Sequence, residues 1–81
     1  MLSSEAVKKI HNLMNEIFPN AAIPDDISDL KMGDLTDWDS LGNFNLILAI
    51  ETEFDVRFSM QQATEVKSVA QFIEVLATAN D

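Results

Sequence analysis

The chain has 81 residues, of which 47% are hydrophobic, and its 14 acidic and 5 basic residues give a formal net charge of −9 at pH 7. This length predicts one domain spanning residues 1–81, and the lack of cysteine excludes both a disulfide framework and a thiolate metal site. The negative charge argues against binding to nucleic acid or to an anionic membrane surface, and it favours partners with basic surfaces.

No segment of the sequence predicts export or membrane insertion. The longest apolar run, Leu46 to Ile50, is far shorter than the roughly 20 residues of a membrane-spanning helix. The first 20 residues contain lysines but no continuous apolar stretch, unlike a signal peptide. We therefore expect a soluble, cytoplasmic protein without a membrane span, and we expect it to act as a monomer.

Apolar residues at helical spacing predict a first helix that is followed by a long connection. The helix carries its apolar positions from Val7 to Phe18 and stops at Pro19-Asn20. Residues 21–38 have no sustained period but contain a proline, a glycine, several aspartates and scattered apolar anchors. A packed loop of this length is unusual in a small domain and commonly has a functional reason.

The second predicted helix, from Ser40 to Phe54, is the most apolar element, and we expect it to lie centrally in the fold. Its apolar residues at helical spacing are Leu41, Phe44, Ile47, Leu48, Ile50 and Phe54. Ser59 to Gln62 and Ser68 to Gln71 each have the pattern of a capping box, in which serine and glutamine satisfy each other's backbone amides. These patterns predict a short third helix and a final fourth helix.

An acid/base enzyme finds little support in the side chains present. His11 is the only histidine, and the chain has neither cysteine nor tyrosine. No nucleophile lies beside His11 in the sequence, so we interpret it as an ordinary helix-face histidine.

The segment from Asp37 to Gly42 invites comparison with a calcium-binding loop, because two aspartates stand two residues apart and glycine takes the sixth position. The rest of the pattern fails, since Leu41 would occupy a ligand position and Leu48 would replace the bidentate glutamate. We therefore predict no metal site.

Asp39 and Ser40 stand at the predicted start of the second helix, where both residue types serve as N-caps. A phosphate at a helix start faces unpaired backbone amides and the positive end of the helix dipole. Ser40 is therefore also a favourable site for a phosphate-linked group. Taken alone, Asp39-Ser40-Leu41 favours a simple cap, and only the context of the segment puts a covalent attachment site at Ser40 ahead of it.

With Asp39-Ser40-Leu41 opening an apolar helix that closes on Glu-x-Glu-Phe-x-Val, the chain resembles the acyl carrier protein family. The resemblance covers nearly the whole chain, because an amphipathic helix and a long loop come before this segment, and a short helix and a final helix after Lys67-Ser68-Val69 follow it. It implies an all-α fold, a four-helix bundle of the acyl-carrier type with a long first loop and a short third helix.

The resemblance implies that Ser40 receives 4'-phosphopantetheine from coenzyme A through a magnesium-dependent phosphopantetheinyl transferase, with Asp39 and Leu41 beside it in the cofactor-binding motif. The arm's thiol would hold acyl intermediates as thioesters, loaded by an acyl-loading ligase or acyltransferase and delivered to synthase enzymes of fatty-acid, lipid or specialised-metabolite synthesis. The chain itself would have no catalytic residue. A peptidyl or aminoacyl carrier and a non-enzymatic acidic helical adaptor stay open as alternatives.

The face of the second helix beside the serine departs from the family pattern. Common carriers of fatty-acid synthesis bear acids there that dock synthase enzymes. At the matching positions in the middle of this face, this chain has a single acid, Glu51. The predicted partner-binding residues are Trp38, Gly42, Asn43, Asn45 and Glu51. Trp38 would either shield the arm or pack against the loop, and an acid at position 42 is expected to stabilise the helix. The pattern predicts a carrier for a dedicated pathway.

Overall fold

The computed structural model describes residues 2–79, with side chains described for residues 5–78. Its elements are four α-helices: α1 at Leu2–Ile17, α2 at Ser40–Phe54, α3 at Met60–Glu65 and α4 at Val69–Ala79. Residues 2–79 contain no strand, only an isolated antiparallel bridge between Lys31 and Ser68. The predicted all-helical architecture, with a long first connection and a short third helix, is confirmed as a small helical bundle.

The core is built on one line of residues along α1. Ala6, Ile10, Met14 and Phe18, the residue after the helix, are all buried. They recur at every fourth residue, so they lie on one face of α1. The buried hydrophobic residues are Ala6, Ile10, Met14, Phe18, Ile27, Trp38, Leu46, Ile47, Ile50, Val66, Val69, Phe72 and Leu76. Because α1 packs against both α2 and α4, it takes the central position that the sequence predicted for α2.

Not every apolar position predicted for α2 is buried. Leu41, Phe44 and Leu48 are exposed, with 68%, 54% and 45% of their surface accessible, while Leu46 and Ile47 are buried. A helix that is apolar around most of its circumference does not reveal from spacing alone which face enters the core. α2 therefore presents apolar side chains to solvent beside its first residue.

The long connection between α1 and α2 is tied to the segment between α3 and α4. The backbone amide of Met32 donates to the carbonyl oxygen of Lys67 at 2.7 Å, and the amide of Val69 donates to the carbonyl oxygen of Leu30 at 3.0 Å. Ile27 of the same connection is fully buried. The loop is thus a packed part of the fold, as its apolar anchors predicted.

The two predicted capping boxes differ in detail. At Ser59 the box is complete, because its hydroxyl accepts from the amide of Gln62 and the Gln62 side chain accepts from the amide of Ser59. At Ser68 the hydroxyl accepts from the amide of Gln71, but the Gln71 side chain accepts from the amide of Lys67, one residue earlier than in a capping box. Each serine nevertheless lies at the start of the helix that its sequence pattern predicted.

None of the helices in the described part of the chain has the length and apolar character needed to span a membrane.

Candidate functional site

Ser40 is the first residue of α2, and it is exposed. Asp39 precedes it in an extended conformation and acts as the N-cap, because its Oδ1 accepts a hydrogen bond from the amide of Gly42 at 2.8 Å. The Ser40 hydroxyl has no hydrogen-bond partner among residues 5–78. Of the two capping candidates, Asp39 therefore fills the role, and the hydroxyl of Ser40 is left available at the surface.

An open groove of about 290 Å³ lies beside Ser40. It runs between α2 and α3. It extends to the α1–α2 and α3–α4 connections, which are joined by the hydrogen bond from the Met32 amide to the Lys67 carbonyl oxygen. Its lining residues are Met32, Ser40, Asn43, Phe44, Ile47, Ala63, Thr64 and Lys67. Half of these side chains are apolar, so the groove offers a hydrophobic wall next to a free hydroxyl.

The outer surface beside the groove is also apolar. Leu41, for which the resemblance implies a place in the cofactor-binding motif, is 68% exposed, and Phe44 and Leu48 follow it on α2 at spacings of three and four residues. Met60 at the start of α3 is 86% exposed. Leu41, Phe44 and Leu48 adjoin one another along one face of α2, and exposed apolar side chains grouped in this way commonly mark an interaction site.

Three of the predicted partner-binding residues are buried, and two of them, Trp38 and Asn43, are hydrogen-bonded to each other. Trp38 is 1% exposed and donates from Nε1 to Oδ1 of Asn43 at 2.9 Å, and Nδ2 of Asn43 donates to the carbonyl oxygen of Val66 at 2.9 Å. The Trp38 ring also stacks on Phe18, with ring centroids 6.1 Å apart. Of the two roles considered for Trp38, packing is the one observed. With 1% and 5% of their surface exposed, Trp38 and Asn43 take no part in the outer surface of α2 that a docking partner would cover.

Gly42 is buried where the loop crosses the first turn of α2. A Cβ at this position would stand 2.2 Å from the carbonyl oxygen of Asp37 and 2.9 Å from Cε1 of Phe18. Real Cβ atoms do not approach backbone oxygens so closely, so only glycine fits without movement of the loop. The expectation that an acid at position 42 would stabilise the helix is therefore wrong.

The remaining two predicted partner-binding residues are accessible. Asn45 is exposed on α2. Glu51 is half-buried, and its Oε2 accepts from the amide of Phe58 at 2.7 Å. Glu51 thus ties the chain that follows α2 back to the helix, a role that the sequence analysis missed. For Asn45 and Glu51, partner binding stays a prediction.

His11 has a structural role in keeping with its interpretation as an ordinary histidine. Its Nε2 lies 3.0 Å from the carbonyl oxygen of Pro24, and its Nδ1 lies 3.1 Å from Nδ2 of Asn15. The imidazole thus links α1 to the long connection. Within the described residues, no three histidine or carboxylate side chains come together as a group that could hold a metal ion.

Two carboxylates of the long connection have lowered pKa values. Hydrogen bonds from the hydroxyl and then the amide of Ser28 lower the pKa of Asp26. The amide of Lys31 donates to Asp34 at 3.0 Å and lowers its pKa, with a further contribution from the Lys31 ammonium at 3.3 Å. These contacts stabilise turns in the loop that leads to Ser40.

Comparison with known proteins gave no match, because no family model, no curated protein and no solved structure is similar enough to the chain.

Proposed function

We propose that this chain is an acyl carrier whose Ser40 hydroxyl is the attachment site of 4'-phosphopantetheine. The observation that carries the proposal is the exposed Ser40 hydroxyl at the start of α2, which Asp39 frees from capping. In the transfer, Ser40 Oγ forms a bond to the phosphorus next to the pantetheine of coenzyme A. The nucleotide bisphosphate leaves, and the hydroxyl proton passes to the transferase.

The helix start suits an added phosphodiester. The first turn of α2 has no acidic side chain of its own, and the N-cap carboxylate of Asp39 accepts from the Gly42 amide only, so the amides of Ser40 and Leu41 remain for a negative group. Backbone amides at a helix N-terminus favour a negative group placed there. The phosphate would therefore be stabilised where the transferase leaves it.

A carrier of thioesters needs a thiol, and this sequence contains no cysteine. The phosphopantetheine arm supplies that thiol. The apolar wall of the groove, formed by Met32, Phe44, Ile47 and Ala63, lies beside the attachment point and suits the hydrocarbon part of an acyl cargo.

The charge around the site favours enzymes with basic surfaces. Between Asp25 and Asp55 there are nine acids and one base, which is a local charge of −8. Such a field steers basic surfaces toward the arm. The partners proposed are a phosphopantetheinyl transferase, an acyl-loading ligase or acyltransferase, and synthase enzymes.

The surface of α2 next to Ser40 supports a dedicated rather than a housekeeping pathway. Its exposed side chains there are Leu41, Phe44, Asn45 and Leu48, none of which is charged. A partner that docks on this face must cover apolar surface, so its own contact surface is expected to be partly apolar.

Intact-protein mass spectrometry tests the proposal. The purified chain is incubated with coenzyme A, magnesium and a broad-specificity phosphopantetheinyl transferase, and it should gain one phosphopantetheine. Ser40→Ala should gain none, whereas the matched control Ser59→Ala, which removes the serine cap of α3, should gain it as the wild type does.

Two outcomes would contradict the proposal. If the wild type gains no mass, the carrier function fails, and the exposed apolar residues of α2 and α3 then favour the adaptor alternative. If Ser40→Ala still gains mass, the attachment site is wrong. Loading the modified protein with defined acyl and aminoacyl groups separates an acyl carrier from a peptidyl or aminoacyl carrier.

A further inference from the structure

Lys67 is the only charged residue among those that line the groove beside Ser40. Its side chain is exposed, and its ammonium forms no ion pair with any carboxylate in the described part of the chain. The groove therefore combines an apolar wall, a free hydroxyl at Ser40 and an uncommitted cation.

The backbone of Lys67 is held from two sides. Its amide donates to Oε1 of Gln71 at 2.8 Å, and its carbonyl oxygen accepts from the amide of Met32 at 2.7 Å. The preceding residue, Val66, is buried. These anchors fix the position of the Lys67 backbone beside the groove that this residue lines.

Two charged residues near Lys67, Glu65 and Lys31, have contacts of their own. The Glu65 carboxylate accepts from Gln61 at 3.4 Å within α3, and the ammonium of Lys31 pairs with Asp34 at 3.3 Å. In a region with a strong excess of acids, a cation beside the groove without an acidic partner is suited to an anion that arrives from outside the chain.

We propose that Lys67 is the anion-binding residue of this groove and that its ligand is the phosphate of the group carried on Ser40, an inference that rests on the proposed function. The phosphate is bonded to Ser40 itself, so it accompanies every cargo and enters the groove at a fixed place. A lysine ammonium is a compact charge on a flexible stem, which suits a phosphodiester oxygen. Lys67 is thus a positioning residue that directs the arm along the apolar wall.

The test compares unmodified and phosphopantetheine-bearing protein in thermal melts at low salt. In the wild type, modification should raise Tm by roughly 1–5 °C, as expected for one exposed ion pair in a small domain. Lys67→Gln should lose this gain, and Lys67→Arg should retain it. Lys31→Gln is the matched control, because Lys31 lies on the adjoining loop and pairs with Asp34, and it should keep the gain.

A second readout is the ³¹P chemical shift of the phosphodiester. It should move between wild type and Lys67→Gln but not between wild type and Lys31→Gln, and high salt should reduce the difference. This signal does not depend on any enzymatic activity of the loaded protein or on the stability of the variants.

The outcomes separate this inference from the proposed function. If the wild type takes up no phosphopantetheine, both fall. If Ser40 is modified but Lys67→Gln and Lys31→Gln behave alike, the inference alone is overturned. If the gain in Tm appears only with a cargo that bears a carboxylate, the anion bound at Lys67 belongs to the cargo, and the assignment to the phosphate is overturned.

Discussion

The indole Nε1 of Trp38 and Oδ1 of Asn43 form a buried hydrogen bond of 2.9 Å at the base of the helix that begins with Ser40. Asn43 also donates to the carbonyl oxygen of Val66. Val66 is the residue before Lys67, which lies in the connection between α3 and α4. One asparagine thus joins the loop, α2 and the end of α3. The two connections that flank the groove are held in place through this side chain.

Replacement of Asn43 should be costly. Asn43→Ala leaves the Trp38 indole and the Val66 carbonyl without partners, and each unsatisfied buried group costs about 1–3 kcal/mol. We expect the free energy of unfolding to fall by about 2–6 kcal/mol in total. The matched control is Asn45→Ala on the exposed face of α2, which should change stability by no more than about 0.5 kcal/mol. Equal effects in chemical denaturation would contradict the role of Asn43.

Gly42→Ala separates helix propensity from close packing. In an open helix position, alanine would stabilise by about 0.5–1 kcal/mol relative to glycine. Here the added Cβ would stand 2.2 Å from the Asp37 carbonyl oxygen, so we expect a loss of about 1–3 kcal/mol from overpacking. Denaturant unfolding gives the sign directly, and a stabilised variant would show that the loop moves aside at little cost.

The N-cap of α2 provides a prediction about stability that is independent of modification. Asp39→Ala should lower the free energy of unfolding by about 0.5–2 kcal/mol, because it removes the acceptor for the Gly42 amide. Ser40→Ala should change it by no more than about 0.5 kcal/mol, since the hydroxyl is exposed. Thermal melts of the two neighbouring variants check this, and the reverse order would identify Ser40 as the cap.

The sequence predicted the helices well because each has a local signal. The apolar spacing along α1 and the Ser59–Gln62 capping box each involve residues that are close together in the sequence. The face of α2 that enters the core is set instead by the loop, which brings Trp38 against Asn43 and Asp37 against Gly42. Such contacts between segments leave no period in the sequence.

The same distinction applies to the candidate site. The position of Ser40 as the first residue of α2 could be predicted from the residues around it, since a helix start and its cap are local features. The groove could not, because Met32 and Lys67 reach it only when the bridge between the two connections forms. The partner-binding prediction included Trp38 because an aromatic residue in a polar loop gives no sign of which side it faces.

Ser28→Ala should raise the pKa of Asp26. The Ser28 hydroxyl is the main cause of the lowered pKa, so its loss should bring the value toward 3.8 while the pKa of Asp34 stays low. Carboxyl ¹³C NMR titration measures both in one experiment. Because the folded-state pKa lies below the unfolded one, the contact stabilises the protein above the unfolded pKa, and this stabilisation is lost as pH falls through the folded value. The difference in Tm between wild type and Ser28→Ala should therefore shrink below about pH 4.

Added salt should stabilise the protein at neutral pH. The formal net charge is −9, and the molecule measures 34 × 28 × 20 Å. The screening length falls from about 30 Å at about 0.01 M salt to about 8 Å at about 0.15 M, so repulsion between acids acts across the whole molecule only at low salt. The two ion pairs in the described residues, Lys9 with Glu53 and Lys31 with Asp34, are exposed, and screening them costs little. We expect Tm to rise over this range, and we expect Asp25→Asn to raise Tm more at low salt than at high salt. A Tm that falls with added salt would show that attraction in these pairs outweighs the repulsion.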